Sequence, residues 1–255
     1  MSRLIDIDSA RTGSVSCTQC ALFDLCFAHE LTEKRRHELE EIVHRQRPLP
    51  RDQHLYLSGD KLKRICVVQA GMVKSYRLSS EGDEIITGFH LPGEMIGLDA
   101  IGTGEHPEYA VALEDSRYCE IPFPAFERML DQHPEIGRLM LRLLALDMSS
   151  ARETALVIGR MEARPRIAMF LLDLSRRLER RGADATRFRL AMDRRDIANY
   201  LGLTVETVSR IFSGMQRDGL IRARGKAIQL LDREGLLALI GPEHEELLGE
   251  KRLRA

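Results

Sequence analysis

The chain has 255 residues, of which 44% are hydrophobic and 30% charged, and its formal net charge is −1. This length allows one large or two ordinary domains with hydrophobic cores, so folding alone needs neither disulfides nor a metal. No apolar run approaches the roughly 18 to 20 residues of a membrane span, and residues 1–10 lack the charged start and apolar core of a signal peptide, so we expect a cytoplasmic protein without a membrane segment.

The net charge hides a strong asymmetry along the chain. Residues 160–233 contain 17 Lys and Arg against 9 Asp and Glu, whereas residues 1–159 contain 18 against 25. A basic C-terminal region that follows an acidic N-terminal region favours a nucleic-acid-binding module joined to a domain with a different function. An arginine-rich solvated surface is the alternative that charge alone leaves open.

Three of the five cysteines stand near the N-terminus, as Cys17-Thr18-Gln19-Cys20 followed by Cys26. In a reducing compartment this pattern indicates metal ligation, redox chemistry or burial rather than disulfides. Three thiolates within ten residues can surround one soft metal centre, with a fourth ligand from elsewhere in the fold. Zinc bound by four cysteines and an iron-sulfur cluster both fit, and the presence of only one C-x2-C pair favours iron-sulfur.

The fourth ligand has two candidates among the remaining cysteines. Cys66 lies in an apolar run, residues 65–68, and is predicted to be a small buried strand residue. Cys119 lies at the end of the predicted sheet region, beside the start of the helical region, and is therefore the preferred fourth ligand.

Short apolar runs and regularly spaced glycines characterise residues 55–122. Turn signals every 8 to 12 residues predict a compact antiparallel sandwich or barrel. The spacing leaves no room for crossover helices.

Residues 134–161 are predicted to form one long helix, because apolar residues recur at a spacing of three and four. We expect this stripe to mediate self-association, although a helix packed on its own domain is the alternative. Ser150 and Glu153 fall on the same stripe, so pairing should be weak in the middle. The predicted seam comprises Ile136, Leu139, Leu143, Leu146, Ser150, Glu153 and Val157.

Pro165 is predicted to close the long helix and to open a second helix that ends at Gly182. The resulting domain prediction has four parts: a cysteine-rich segment at 1–30, a strand-rich domain at 31–133, the long helix at 134–164 and a C-terminal domain at 165–255.

Residues 192–212 predict a helix-turn-helix, with two short helices separated by Gly202. Thr204 is predicted to cap the second helix, whose first turns present Glu206, Ser209 and Arg210 outward. These side chains can contact base edges in a major groove.

A predicted hairpin over residues 220–231 follows the helix-turn-helix and carries basic residues at its tip, among them Lys226. This wing is suited to phosphate contact. The predicted DNA contacts are Thr204, Glu206, Thr207, Ser209, Arg210 and Lys226.

Taken together, these features resemble the Crp/Fnr family, in particular its Fnr/Anr branch of oxygen-sensing transcription regulators. The resemblance covers residues 17–239, and its most specific stretches are the three-cysteine motif and residues 84–93, 119–123 and 199–210. It implies an α+β fold with an antiparallel β-roll like that of cyclic-nucleotide-binding domains, a long dimerisation helix and a C-terminal winged helix-turn-helix domain.

The resemblance also implies a mechanism and partners. A [4Fe-4S] cluster held by Cys17, Cys20, Cys26 and Cys119, without Cys66, would be lost or converted by oxygen. The cluster-bound protein would be a homodimer on double-stranded DNA, and Glu206, Ser209 and Arg210 would read a palindrome resembling TTGAT-N4-ATCAA. Gly82 and Asp83, in a polar turn, match a loop that contacts RNA polymerase in relatives.

Two departures from the family pattern change these expectations. The regions that hold ribose and phosphate in cyclic-nucleotide-binding relatives correspond here to residues 97–99 and 106–110, which contain no arginine, so we expect no cyclic nucleotide binding. The dimer helix has no acidic residue at 149–152, so oxygen is expected to inactivate the protein without fully dissociating it.

Other function classes are less well supported by the sequence. No glycine-rich cofactor loop, second cluster motif or convincing pair of nucleophile and base is present, so we do not expect an enzyme. The alternative is a zinc-stabilised or cluster-free DNA-binding regulator of the same family that responds to another signal.

Overall fold

The structure is a computed structural model that describes residues 16–242. Residues 1–15 of the predicted cysteine-rich segment and residues 243–255 of the predicted C-terminal domain lie outside the described residues. Within the described part, the chain divides into two compact units at residues 16–144 and 145–242. Over the same residues, no helix is both long and apolar enough to cross a membrane.

The first unit begins with three short 3-10 turns at Cys17–Gln19, Phe23–Leu25 and Phe27–Glu30. Helix α1 (Glu33–Ile42) follows, and the hydroxyl of Thr32 accepts a hydrogen bond from the Arg35 N–H at its N-terminus. The turns that carry the cysteines therefore pack against α1 and against the strands that follow it.

Eight strands form two four-stranded antiparallel sheets, which confirms the predicted sandwich. One sheet has the order β1 (His44–Leu49), β8 (Ser116–Pro122), β3 (Arg64–Ala70) and β6 (Met95–Ile96). The other has the order β2 (His54–Tyr56), β7 (Tyr109–Ala112), β4 (Val73–Leu78) and β5 (Glu84–His90).

The sheets need a side-chain-free turn at Gly71, which lies between β3 and β4. Gly71 has a φ of 79°, and a Cβ there would come within 2.2 Å of the Ser116 hydroxyl. Only glycine combines this left-handed conformation with so close an approach to the neighbouring strand.

Strand β3 is buried on both faces and so separates two apolar clusters. Ile65 and Val67 point into one cluster, which also receives α1 and α2 (Phe123–Gln132). Cys66 and Val68 point into the other, between the two sheets. This alternation decides on which side of the sheet each nearby cysteine lies.

Helix α3 (Pro134–Arg160) is continuous, as predicted. The second unit then contains α4 (Ala163–Glu179), β9 (Arg187–Arg189), α5 (Arg194–Leu201), α6 (Val205–Arg217), β10 (Ile221–Arg224), β11 (Ala227–Leu230) and α7 (Arg233–Ile240). The short strands pair antiparallel in the order β10-β11-β9.

The break after α3 differs from the prediction. It lies at residues 161–162, and Pro165 is in the first turn of α4 instead of between the helices. A proline is tolerated there because the first N–H groups of a helix have no intrahelical acceptor.

Candidate functional site

Three of the four predicted cysteine ligands lie beside the first apolar cluster, and the fourth, Cys20, lies in the same N-terminal segment. Cys17 begins the first 3-10 turn and Cys20 directly follows it, Cys26 lies between the second and third turns, and Cys119 lies on β8. Cys17, Cys26 and Cys119 all pack against the same cluster. Burial, reinforced by the neighbouring thiols of Cys17, Cys119 and Cys20, raises the pKa of Cys26 to about 12. The predicted ligands therefore lie together.

The fifth cysteine lies on the other side of the sheet. In the antiparallel pairing of β3 with β8, Val67 is opposite Cys119 and Cys66 is opposite Glu120. Residues opposite each other share a face and successive residues alternate, so Cys66 and Cys119 point to opposite faces. Cys66 is 1% exposed within the cluster between the sheets.

An arginine and a glutamate hold Cys17. The backbone N–H of Cys17 donates to the Glu40 carboxylate, and Arg45 Nη2 donates to the Cys17 sulfur at 3.4 Å. Burial raises the pKa of the Cys17 thiol, and Arg45 opposes this rise. Arg45 Nε is buried and has no acceptor within the described residues.

These residues fit a thiolate-bound iron-sulfur cluster. The donors are four soft sulfurs in a partly apolar wrapping, and the orphaned Arg45 Nε is a donor suited to an anionic group. Among residues 16–242, no three His, Cys, Asp or Glu side chains converge closely enough to hold one metal ion.

In the second unit, α5 and α6 form the predicted helix-turn-helix. Asp193 caps α5 in a capping box with Asp196. Gly202 ends α5 with a φ of 62°, and buried Ala198 permits close packing of the two helices. The Thr204 hydroxyl accepts from the Thr207 N–H at 3.2 Å, as expected for the cap of α6.

Glu206, Ser209 and Arg210 are all exposed on α6, so the side chains predicted to read bases face solvent. Hydrogen bonds from its own backbone N–H and from the Thr204 hydroxyl lower the pKa of the Glu206 carboxyl. The opposite face of α6 is buried through Val208, Phe212 and Met215. The helix is therefore held by its apolar side and free on its polar side.

The hairpin β10–β11 confirms the predicted wing, but Lys226 is not free at its tip. Its half-buried ammonium donates to the Ala191 carbonyl, next to the N-terminus of α5. Leu190 N donates to Lys226 O at 2.8 Å, which fixes this arrangement. This contact holds α5 against the wing, and the phosphate contact of Lys226 stays a prediction.

One surface of the wing carries four exposed arginines, two on the predicted hairpin and two on β9 that sequence reasoning missed. Strand β9 was not predicted, because it has only three residues, yet it pairs with β11 and brings exposed arginines beside those of β10. On the central strand β11, Gln229 lies between Arg187 and Arg222, and Ala227 lies between Arg189 and Arg224. The Arg-Phe-Arg alternation was the available signal. The residues are Arg187, Arg189, Arg222 and Arg224.

The turn between β4 and β5 is exposed and rigidly hydrogen-bonded. Ser79 N donates to Asp83 O at 2.9 Å, and the Ser79 hydroxyl accepts from the N–H groups of Glu81 and Asp83. Gly82, with a φ of 88°, and Asp83 lie at its tip. Both are accessible to a partner.

Comparisons with known proteins identify relatives over most of the chain. Residues 46–133 match the cyclic nucleotide-binding domain and residues 165–239 the Crp-like helix-turn-helix domain. The fumarate and nitrate reduction regulatory protein of Salmonella typhimurium is 40% identical over 89% of this chain and 91% of its own length. The anaerobic regulatory protein of Haemophilus influenzae is 40% identical over 89% of each.

The solved structure of FixK2 from Bradyrhizobium japonicum is 32% identical, with a TM-score of 0.72 over 78% of this chain and 98% of that chain. The chain belongs to the Crp/Fnr family. Members of the family are transcription regulators and not enzymes, and they bind DNA and act as dimers.

The apolar face that α3 exposes differs from the face predicted to pair in a Crp/Fnr dimer. Ile136 and Leu139 are buried in the apolar cluster of their own chain, and Val157 is buried as well. These residues therefore belong to the core of their own chain, as expected from the alternative prediction of a helix packed on its own domain. The large exposed apolar residues of α3 lie at a spacing of seven and eight, and they are Leu141 (68% exposed), Met148 (55%) and Leu156 (53%).

The β-roll of this Crp/Fnr chain carries carboxylates in the regions that bind cyclic nucleotides in relatives. Burial, followed by the neighbouring Glu108, raises the pKa of Asp99. Glu108 accepts from Arg77 Nε at 3.2 Å and from the Thr87 hydroxyl at 2.7 Å. The arginine closest to Glu108 is thus already held by a protein carboxylate.

Proposed function

We propose that this regulator switches gene expression between aerobic and anaerobic conditions through an oxygen-labile [4Fe-4S] cluster held by Cys17, Cys20, Cys26 and Cys119. The observation that carries the proposal is the packing of Cys17, Cys26 and Cys119 against one apolar cluster, with Cys20 directly after the turn that Cys17 begins and Cys66 on the other face of the sheet. The names of the relatives, which refer to anaerobic regulation and to fumarate and nitrate reduction, support the physiological role.

When bound, the cluster supplies a centre that oxygen oxidises and dismantles. The chain's own residues supply the rest of the mechanism. Cys119 is three residues before Pro122, where β8 meets α2, and α3 follows directly. A change at Cys119 therefore acts close to the start of the helix that carries the free apolar face.

A small bias is enough to operate such a switch. Moving a two-state equilibrium from 1:99 to 99:1 takes about 5.5 kcal/mol of differential stability. Dimer pairing that is strengthened by the cluster brings two copies of α6 to the two halves of a palindrome resembling TTGAT-N4-ATCAA.

The exposed surface of α6 supports base reading by Glu206, Ser209 and Arg210, with Thr204 and Thr207 setting the helix start. Arginine is suited to guanine O6 and N7, and a carboxylate accepts from the amino group of cytosine. The arginines of the wing then supply phosphate contacts. RNA polymerase is the proposed partner of Gly82 and Asp83.

Cyclic nucleotides are excluded from this proposal. A phosphodiester in the matching region would lie near Asp99 and Glu108, and it would have to compete with Glu108 for Arg77. The domain thus keeps the fold of a nucleotide sensor with an electrostatic environment that disfavours the nucleotide.

Absorption after anaerobic purification tests the proposal. An iron-sulfur protein is brown, with broad visible charge-transfer absorption that fades in air, and it contains iron and acid-labile sulfide. A colourless protein that contains zinc and no sulfide would contradict the proposal and would support the zinc-stabilised alternative.

A further inference from the structure

Arg45 donates to the sulfur of Cys17, one of the four proposed cluster ligands. It lies near the start of β1, three residues after the end of α1, and its side chain is only 19% exposed. The planar guanidinium has five N–H donors in a fixed fork, so it can hold one acceptor while it donates to another.

Glu40 fixes the position of this arginine. One carboxylate oxygen of Glu40 accepts from the Cys17 backbone N–H and lies 3.6 Å from Arg45 Nη2. Glu40 is itself only 20% exposed. The backbone and the side chain of Cys17 are therefore both engaged by the same pair of charged residues.

The remaining donor of Arg45 points to an acceptor that the protein does not provide. Arg45 Nε is buried and has no hydrogen-bond partner among the described residues. A buried donor without an acceptor is unfavourable, because it has lost its hydrogen bonds to water. A cluster bound by four thiolates is anionic and offers sulfur acceptors, and its stability and potential respond to hydrogen bonds at those sulfurs.

We propose that Arg45, held by Glu40, is a positioning residue for Cys17 that donates hydrogen bonds at this corner of the cluster and so sets how firmly iron is retained and at what potential the cluster is reduced. The inference rests on the proposed cluster. It assigns to Arg45 and Glu40 a role that the cysteine ligands alone do not fill.

The test uses the full-length protein reconstituted under anaerobic conditions. Arg45→Gln removes the charge and the fork, and Arg45→Lys keeps only the charge. Arg51→Gln is the matched control, because the Arg51 side chain is 61% exposed and pairs with its neighbour Asp52, and its backbone N–H bond to Asp115 does not depend on the side chain. Circular dichroism shows that each variant is folded.

Two measurements are made on each loaded protein: the rate of iron loss to an excess of chelator, and the reduction potential. We expect Arg45→Gln to lose iron about tenfold faster than wild type and to have a more negative potential, because a positive charge no longer stabilises the reduced cluster. Arg45→Lys should fall between the two, and Arg51→Gln should match wild type. Arg45→Gln equal to Arg51→Gln in both measurements would overturn the inference.

A third measurement needs no cluster. In cluster-free protein, Glu40→Ala should speed hydrogen–deuterium exchange in peptides that contain Cys17, because the Cys17 N–H loses its acceptor. Unchanged exchange would overturn the role of Glu40. If the wild-type protein forms no cluster, both the proposed function and this inference are overturned. If the wild-type protein forms a cluster whose iron loss and potential do not change in Arg45→Gln, only the inference is overturned.

Discussion

Cys66 and Cys119 are on adjacent strands, yet they leave the sheet on opposite faces. Distance along the chain does not separate the two candidates, since both are far from Cys17. Strand alternation does separate them, because Cys119 shares its face with Val67 and faces the cluster on which Cys17 and Cys26 pack.

We therefore expect single Ser substitutions at Cys17, Cys20, Cys26 and Cys119 to abolish cluster assembly, and Cys66→Ser to leave it largely intact. A hydroxyl is a poor replacement for a soft thiolate ligand. Iron and sulfide analysis after anaerobic reconstitution checks this. Full iron and sulfide in Cys119→Ser would remove Cys119 from the ligand set.

Base readout is a second prediction at the scale of the residue. Glu206→Ala and Arg210→Ala should each lose about 1 to 3 kcal/mol of discrimination at one base position per half-site. Arg224→Ala, on the wing, should weaken binding to all sequences alike and reduce the salt slope by about one. Binding-site selection and salt titration distinguish the two. An unchanged preferred sequence for Arg210→Ala would mean that α6 does not read the bases.

At the scale of the element, we expect α3 to pair in the dimer through the face that its own domain leaves exposed. Ser150 is nine residues from Leu141, about 180° away around the helix. Apolar substitution at Ser150 should therefore not strengthen the pairing expected from the exposed face, in contrast to the seam predicted from sequence. Ser149 already donates to Glu153 at 3.2 Å, so that side of α3 has local partners.

Met148→Glu should prevent dimerisation of the cluster-bound protein, because it places a charge in the middle of the exposed apolar face. Met148→Leu keeps the apolar surface and should remain dimeric. Sedimentation of both variants under anaerobic conditions provides the measurement. A Met148→Glu protein that is still dimeric would show that another surface joins the protomers.

The β4–β5 turn carries a prediction of its own. Exchanging Gly82 and Asp83 for residues of different shape and charge should spare DNA binding and reduce transcription in a purified system with RNA polymerase. Its hydrogen bonds to Ser79 keep the tip in one conformation, which favours a defined contact. Equal transcription by the substituted and wild-type proteins would refute the contact.

The sequence alone predicted those elements whose conformation is determined by residues close to one another in the chain. The cap at Thr204, the turn at Gly202 and the strand glycines each fulfil a requirement that neighbouring residues set. Strands β1 and β9 were missed because polar residues dominate them, and their pairing partners lie far away in the chain. The free face of α3 was misassigned because spacing shows which residues share a side but not which side meets the core.

At the scale of the whole molecule, the acidic and basic parts of the chain correspond to different tasks. The second unit holds the exposed arginines of the wing and the polar face of α6, which suit an anionic duplex. The first unit holds the thiols and, in its β-roll, the carboxylates Asp99 and Glu108. We therefore expect oxygen to act at the cysteines, and we do not expect a cyclic nucleotide to regulate the protein through the β-roll.

This separation yields a prediction for the intact regulator. Cyclic AMP and cyclic GMP at millimolar concentration should leave both Tm and DNA affinity unchanged in the cluster-bound protein. The measurement is sensitive, because a ligand at 1,000 times its dissociation constant stabilises the folded state by about 4.1 kcal/mol, and each kcal/mol shifts Tm by about 2 to 4 °C in a protein of this size. A nucleotide-dependent rise in Tm that Glu108→Gln strengthens would show that the β-roll still binds the phosphate and that Glu108 only weakens it.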